Sequence, residues 1–108
     1  MSILYRSRVK LLLRYFKHKA KREVKPVLLE NHHFRIVHKI GRNDCVYFNG
    51  VCFTDNVFGG SEFCDIESLK TDLISARKVY ACNKAHQLNN FIKETLRFIK
   101  EYKQIRKL

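Results

Sequence analysis

Apolar side chains near the start of the chain recur at the spacing of one face of a helix. The steps between them are four, three, four and four positions, which places them on a single stripe formed by Tyr5, Val9, Leu12, Phe16 and Ala20. Basic residues follow the same spacing on the opposite side, and we call them the N-terminal basic edge: Arg6, Lys10, Arg14, Lys17, Lys21 and Lys25. The pattern predicts an amphipathic helix from Ile3 to about Lys25, ended by Pro26. At 1.5 Å per residue the basic edge would be about 30 Å long.

The central part of the chain alternates apolar and polar side chains with a period of two, which is typical of β-strands. Residues 34–40 show this alternation, and a second β-rich run at 45–48 follows the turn-forming residues 41–44. A third run begins at residue 51. The sequence therefore predicts a three-stranded antiparallel meander within residues 33–64.

The dipeptide Asn49-Gly50 predicts the geometry of the second hairpin. It favours a two-residue type I′ turn, because both residue types accept a positive φ angle. In this register Phe48 would pair with Val51, and the side chains pointing toward the core would be those of Val46, Phe48, Val51 and Phe53.

Two further apolar stripes predict two helices after the meander. Asp65 is placed to cap the first of them, which is expected to end at about Ala81 and whose stripe is Ile66, Leu69, Leu73, Ala76 and Tyr80. We expect a break near Cys82 and Asn83, and then a last helix at about 85–107. The stripe of this last helix is Leu88, Phe91, Ile92, Phe98, Ile99 and Tyr102. Its opposite face carries bases that we call the C-terminal basic face: Lys93, Arg97, Lys100 and Lys107.

Together these elements predict an α+β fold in a single domain spanning residues 1–108. The basic helix occupies 1–26, the meander 33–64 and the helical part 65–108. A chain of 108 residues supports one hydrophobic core. Its uninterrupted apolar runs, such as the three leucines at 11–13, are far shorter than the roughly 18 residues of a membrane-spanning helix, so insertion as an integral membrane protein is not expected.

The charge of the chain is large and is concentrated at its two ends. There are 22 Lys and Arg against 10 Asp and Glu, which gives a formal net charge of +12. Residues 1–26 carry nine bases and one acid, residues 84–108 carry seven bases and two acids, and the segment between them is close to neutral. Faces of one sign are typical of a surface that binds polyanions, because solvated helix faces usually mix signs.

The sequence therefore predicts a small, non-enzymatic protein that binds DNA or RNA. Each Lys or Arg set against a phosphate releases condensed counterions, so aligned bases give a salt-sensitive affinity without any contact to base edges. The candidate binding residues are the N-terminal basic edge and the C-terminal basic face. Tyr47, with Arg35 and Lys39 on the neighbouring strand, is a candidate for stacking on bases; the alternative is packing under a helix.

Neither a metal site nor an enzyme active site is predicted. Successive cysteines, Cys45, Cys52, Cys64 and Cys82, are separated by 7, 12 and 18 positions, which fits neither a zinc site nor a redox motif. We expect buried or half-buried thiols in a reducing, cytoplasmic environment. The five histidines show no recognised catalytic spacing, and the sequence indicates no cofactor.

Three alternative roles remain open. The basic surface could dock on an acidic host protein, as an accessory or inhibitor protein of a phage or virus would; the composition, with one Pro and no Trp, is compatible with such an origin. The first helix also has the acid-poor, amphipathic character of a mitochondrial transit peptide. The same helix could lie on an anionic membrane surface, although its apolar stripe is needed to cover a small core.

Overall fold

The predicted N-terminal helix is present as α1, which extends from Ile3 to Glu23. The structure is a computed structural model that describes residues 3–107, with side chains from residue 7 onward. Phe16 and Ala20 of the apolar stripe are buried in the core, and Leu12 packs against them. The helix ends earlier than expected because Val24 begins a strand, not because Pro26 interrupts a helical turn.

The sheet has four antiparallel strands instead of the predicted three. They are β1, Val24–Leu28; β2, Phe34–Lys39; β3, Cys45–Phe48; and β4, Phe53–Thr54, and they lie side by side in that order. The additional strand, β1, pairs along its length with β2, with Pro26 opposite Ile36. Because β1 is an edge strand, the missing N–H of Pro26 can face outward, where no neighbouring strand needs it. A short 3-10 turn, Val57–Gly59, follows the sheet.

The predicted register of the second hairpin is wrong by two residues. Phe48 pairs with Phe53, so the connection has four residues, 49–52, instead of two. Gly50 has the expected positive φ, 101°, but the Asn49 side chain accepts hydrogen bonds from the backbone N–H groups of Val51 and Cys52 and so builds a wider turn. Because side chains alternate along a strand, a register shift of two residues keeps each strand side chain on its predicted face of the sheet. Phe48 is therefore buried as predicted, whereas Val51, now in the loop, is 78% exposed.

The predicted break at Cys82 and Asn83 is also wrong, because residues Ile66–Arg106 form one continuous helix, α2, of 41 residues. No Gly or Pro occurs in this range to interrupt it. The helix α2 begins as predicted, with Asp65 as its cap: a carboxylate oxygen of Asp65 accepts a hydrogen bond from the backbone N–H of Ser68 at 2.8 Å. Hydrogen bonds from the backbone and side chain of Ser68 hold the pKa of Asp65 below its usual value. The described residues 3–107 thus contain two α-helices.

α1 and α2 pack as an antiparallel pair of helices that covers one face of the sheet. Tyr80 of α2 lies between Phe16 of α1 and His38 of β2, with ring centroids 6.5 and 4.9 Å away. Farther along this pair of helices, Arg8 Nε donates a hydrogen bond to Oδ1 of the fully buried Asn89 at 2.7 Å. The molecule is 66 Å long, close to the length of about 62 Å that 41 helical residues give, so α2 defines its long axis.

Candidate nucleic-acid interface

Within the described residues, positive charge is concentrated around a groove between α1 and α2. The groove has a volume of about 340 Å³ and is lined by Lys17, Lys21, Ile74, Arg77 and Lys78. Four of these five residues are bases, Ile74 supplies an apolar wall, and no acidic residue is among them. Lys17 and Lys21 were predicted from the N-terminal basic edge, whereas Arg77 and Lys78 were not. We call this surface the α1–α2 groove.

Arg77 holds the two sides of the α1–α2 groove together. Its guanidinium donates to the backbone carbonyl oxygen of Val24 from Nε at 3.2 Å and from Nη2 at 3.1 Å, and a longer contact of 3.4 Å reaches the carbonyl of Lys21. These acceptors lie at the C-terminal end of α1, where a positive charge also complements the helix dipole. Because the acceptors are carbonyls and not carboxylates, the net charge of the groove is not neutralised.

The N-terminal basic edge continues from the α1–α2 groove along α1. Lys10 and Arg14 are exposed and line a second, smaller cavity of about 270 Å³ with Ser7 and Leu11. From Lys10 to Lys21 the edge is about 16 Å long at 1.5 Å per residue. This is shorter than predicted at its C-terminal end, since Lys25 lies on strand β1 and not on the helix. Arg6 is within α1, but its side chain lies outside the described residues.

The C-terminal basic face is exposed along the second half of α2, and Lys78 lies on the same side of this helix. The buried Asn89, which contacts α1, separates the two. Lys93, Lys100 and Lys107 are seven residues apart, and Lys78 precedes Lys93 by 15, so helical geometry keeps all four within about 60° of one another. Lys78 also lines the α1–α2 groove with the α1 bases. Arg97 lies beside this row, where it lines a cavity with Lys93 and Glu94, and its Nε is 3.9 Å from the carboxylate of Glu101.

Two acidic groups near the sheet, Glu62 and Asp65, have partners away from the α1–α2 groove. Glu62 contacts His33 at 3.2 Å and Arg35 at 2.8 Å, and hydrogen bonds from these two side chains lower its pKa. Asp65 caps α2. Neither carboxylate lines the α1–α2 groove, so neither offsets its positive charge directly.

Tyr47 is covered by a loop, and this differs from both interpretations of the sequence. A Cβ atom added to Gly60 would lie 2.7 Å from the Cβ of Tyr47, which shows how closely the segment 57–60 packs on that side chain. The Arg35 guanidinium lies 6.0 Å from the centre of the Tyr47 ring and is paired with Glu62. The ring is half-buried and is not part of the candidate interface.

The cysteines and histidines do not form a recognisable chemical site. Within residues 3–107 no group of three or more His, Cys, Asp or Glu side chains is arranged to hold a metal ion. All four cysteines are free, and the expectation of burial is wrong for Cys52, Cys64 and Cys82, which are exposed; Cys45 is half-buried. Across the same residues, neither helix is long and apolar enough to span a lipid bilayer.

His38 is a core residue. Its ring packs edge-on against Tyr80 and Phe53, with centroid distances of 4.9 and 6.0 Å. Burial and the positive charge of Lys84 lower the pKa of His38, and the carboxylate of Glu23 opposes this shift only in part. His38 is therefore mainly neutral at pH 7 and adds nothing to the positive surface.

Comparisons of this chain with protein-family models, with curated proteins and with solved structures found no match. The functional argument therefore depends on the geometry and charge of the surfaces described above.

Proposed function

We propose that this protein binds nucleic acid without catalysis, through phosphate contacts in and along the α1–α2 groove. The observation that carries the proposal is the meeting of Lys17 and Lys21 with Arg77 and Lys78 across one groove that has no acidic lining residue. Bases from two helices that lie far apart in sequence are brought to one concave surface. The N-terminal basic edge, through Lys10 and Arg14, continues the positive surface beyond the groove.

The chemistry of the lining predicts what kind of recognition this surface provides. Ammonium and guanidinium groups bind phosphate oxygens, and each neutralised phosphate contributes counterion release to the affinity. Sequence-specific readout needs side chains placed against base edges, such as Asn, Gln or a fork of arginines in a groove of the nucleic acid. The α1–α2 groove presents Ile74 and basic groups only, so we propose binding with strong salt dependence and little sequence preference.

The test compares two triple charge reversals of equal net charge. The first, Lys17→Glu/Lys21→Glu/Lys78→Glu, changes the groove. The matched control, Lys39→Glu/Arg42→Glu/Lys103→Glu, changes three exposed bases that lie outside the groove and outside both named basic surfaces. All six positions are exposed, and at the helical ones Glu is about as good a helix former as Lys, so both proteins should fold. Binding is measured by fluorescence anisotropy with labelled duplex and single-stranded oligonucleotides over a range of salt concentrations.

We expect the groove variant to lose at least about 100-fold in affinity for duplex. Its plot of log K against log salt should become shallower by about 0.9 for each lost contact, or about 0.7 per contact on a single strand. The control should keep the wild-type slope. Equal losses in both variants would show that overall charge, and not the groove, determines binding. If the unmodified protein bound no nucleic acid at low salt, the proposal would be wrong, and docking on an acidic protein would become the leading hypothesis.

A further inference from the structure

The last part of α2 carries an exposed apolar seam with the spacing of a coiled coil. Its positions alternate in steps of three and four residues, and we call them the C-terminal seam: Leu88, Phe91, Thr95, Phe98, Tyr102 and Ile105. In heptad notation they are successive a and d positions. All six are exposed, with Phe98 at 68% and Ile105 at 66%. Large apolar side chains in a continuous exposed row usually mark an interaction surface.

The C-terminal seam continues the side of α2 that the sheet covers. Phe98 follows Tyr80 by 18 residues, which is five helical turns, so both side chains leave the helix on the same side. Tyr80 is buried against His38, but the sheet ends at a cavity where Ile40 and Val46 meet Gln87. Beyond Gln87 none of the described residues covers this side of α2 to the extent that the sheet covers Tyr80.

α1 does not cover the far end of the seam either. Arg8 contacts Asn89. Because the two helices are antiparallel, the first described residue of α1, Ile3, lies about five residues farther along α2, near Glu94. The end of α2, from Thr95 to Arg106, therefore extends past the described part of α1. At 1.5 Å per residue this projection is about 18 Å long.

We propose that the C-terminal seam binds the same segment of a second copy of this chain, in an antiparallel arrangement. The exposed area is of the size that a dimer needs. The five apolar residues of the seam, with the adjoining Ile99, expose the equivalent of about three complete large side chains, or about 600 Å². With this area fully covered, two copies would bury about 1,200 Å², which is the lower end of the range for specific interfaces.

The antiparallel register pairs every a position with a d position. Leu88 of one copy meets Ile105 of the other, Phe91 meets Tyr102, and Thr95 meets Phe98, and each pair occurs twice by symmetry. A single register therefore matches all six positions, and it sets the aromatic rings of Phe91 and Tyr102 against each other at both ends of the interface. Sliding by one residue would bring polar neighbours of the seam into the interface.

Sterics select the antiparallel over the parallel orientation. In a parallel pair both sheets would lie at the same end and on the seam side of their helices, so each would occupy the space of the other. In the antiparallel pair the sheet of each copy lies beyond the C-terminal end of the other copy's α2. Lys93, Lys100 and Lys107 are about 180° around the helix from the seam, so these bases stay outside the interface.

One charge contact tests the orientation. In the antiparallel pair Glu94 of one copy lies beside Glu101 of the other, and Arg97, 3.9 Å from Glu101 in the same chain, offsets that repulsion. In a parallel pair the neighbour of Glu94 would be Ile99. Glu94→Lys should therefore strengthen an antiparallel dimer, by about fivefold for two exposed ion pairs, and should leave a parallel dimer unstrengthened.

The experiment is sedimentation equilibrium on the full chain, after nuclease treatment and removal of nucleic acid, so that bridging by a bound polyanion does not count as dimerisation. We expect a concentration-dependent mass that approaches twice 12.9 kDa. Phe98→Glu should raise the dissociation constant by at least about 100-fold, because each dimer loses two buried rings and gains two buried charges. Phe58→Glu is the matched control: Phe58 is 91% exposed, lies in the 3-10 turn away from α2, and should leave the dimer unchanged.

Three results would overturn the proposal. A mass of one chain at every concentration would show that a second copy does not occupy the seam. An unchanged dissociation constant in Phe98→Glu would place any dimer contact elsewhere. A dimer that Glu94→Lys weakens or leaves unchanged would contradict the antiparallel orientation. These measurements contain no nucleic acid, so they succeed or fail independently of the proposed function.

Discussion

Replacement of Arg77 by Met tests whether the α1–α2 groove is held in shape by the guanidinium. Arg77 is half-buried, and its principal bonds are the two donated to the Val24 carbonyl. Hydrogen bonds from a charged donor contribute about 1.5–3 kcal/mol, and the favourable interaction with the C-terminal end of α1 adds about 0.3–1 kcal/mol. Met retains most of the side-chain length and its apolar contacts. We therefore expect Arg77→Met to lower the free energy of unfolding by about 2 kcal/mol, near the lower end of that sum.

Urea denaturation followed by far-UV circular dichroism measures this change. With a slope of about 2 kcal/mol per molar urea, the midpoint should fall by about 1 M, and the melting temperature by about 10 °C. Lys78→Met is the control, because Lys78 is an exposed neighbour on the same helix and its loss should change stability by less than about 0.5 kcal/mol. Arg77→Lys, which keeps one charged donor, should be intermediate. If Arg77→Met were no less stable than this control, the carbonyl contacts would not be what fixes the end of α1.

Two further predictions concern the turn and the core. Gly50→Val should destabilise the protein by at least about 1 kcal/mol, because Gly50 has a φ of 101° and a β-branched residue is strained there; an unchanged melting temperature would contradict the turn geometry. Because burial lowers the pKa of His38, the unfolded chain binds more protons than the folded one as the pH falls below about 6.5. The contribution of His38 to stability should therefore be present above that pH and be lost as the pH falls through the lowered pKa of the folded state, with a slope of at most about 1.4 kcal/mol per pH unit. His38→Gln should remove that slope in a series of melting curves, and a slope that persisted would assign it to other groups.

The elements that the sequence predicts correctly are those encoded by local periodicity. The stripe around Phe16, the alternation in residues 34–39 and the cap at Asp65 each depend on neighbours within a few residues. β1 was missed because a five-residue run containing Pro26 has no distinctive period, and its strand character comes from pairing with β2. The hairpin register was missed because the Asn49 side chain competes with the two-residue turn.

The false break in α2 has a different physical cause. The buried side of the helix shifts along its length, from the sheet-facing Leu69 and Tyr80 to Ala81, Ala85 and Asn89, all fully buried. Asn89 contacts α1, whereas Tyr80 contacts the sheet through His38. Between Tyr80 and Leu88 the buried residues of α2 therefore face α1 and not the sheet, which interrupts the sheet-facing stripe without interrupting the helix. The sequence alone does not distinguish this from two helices.

Only two of the four basic residues of the α1–α2 groove were predicted from the sequence, because only those two belong to a local pattern. Lys17 and Lys21 stand out because they repeat along a basic edge within a strongly basic segment. Arg77 and Lys78 lie in a part of the chain whose net charge is near zero, and no local pattern marks them. Only the packing of α2 against α1 brings them to the same groove.

The contact between Arg8 and the buried Asn89 favours one alignment of the two helices, in addition to the bonds of Arg77 at the other end of α1. Apolar stripes repeat every turn, so α1 could slide along α2 by one turn and still bury leucine and phenylalanine side chains. Such a slide would separate Arg8 from Asn89 and leave a buried amide oxygen without its donor, at a cost of about 1–3 kcal/mol. A penalty of that size leaves at most about a sixth of the molecules in the slipped alignment. The Arg8–Asn89 pair therefore favours a single alignment of the two helices, and this alignment keeps the lysines of α1 level with Lys78.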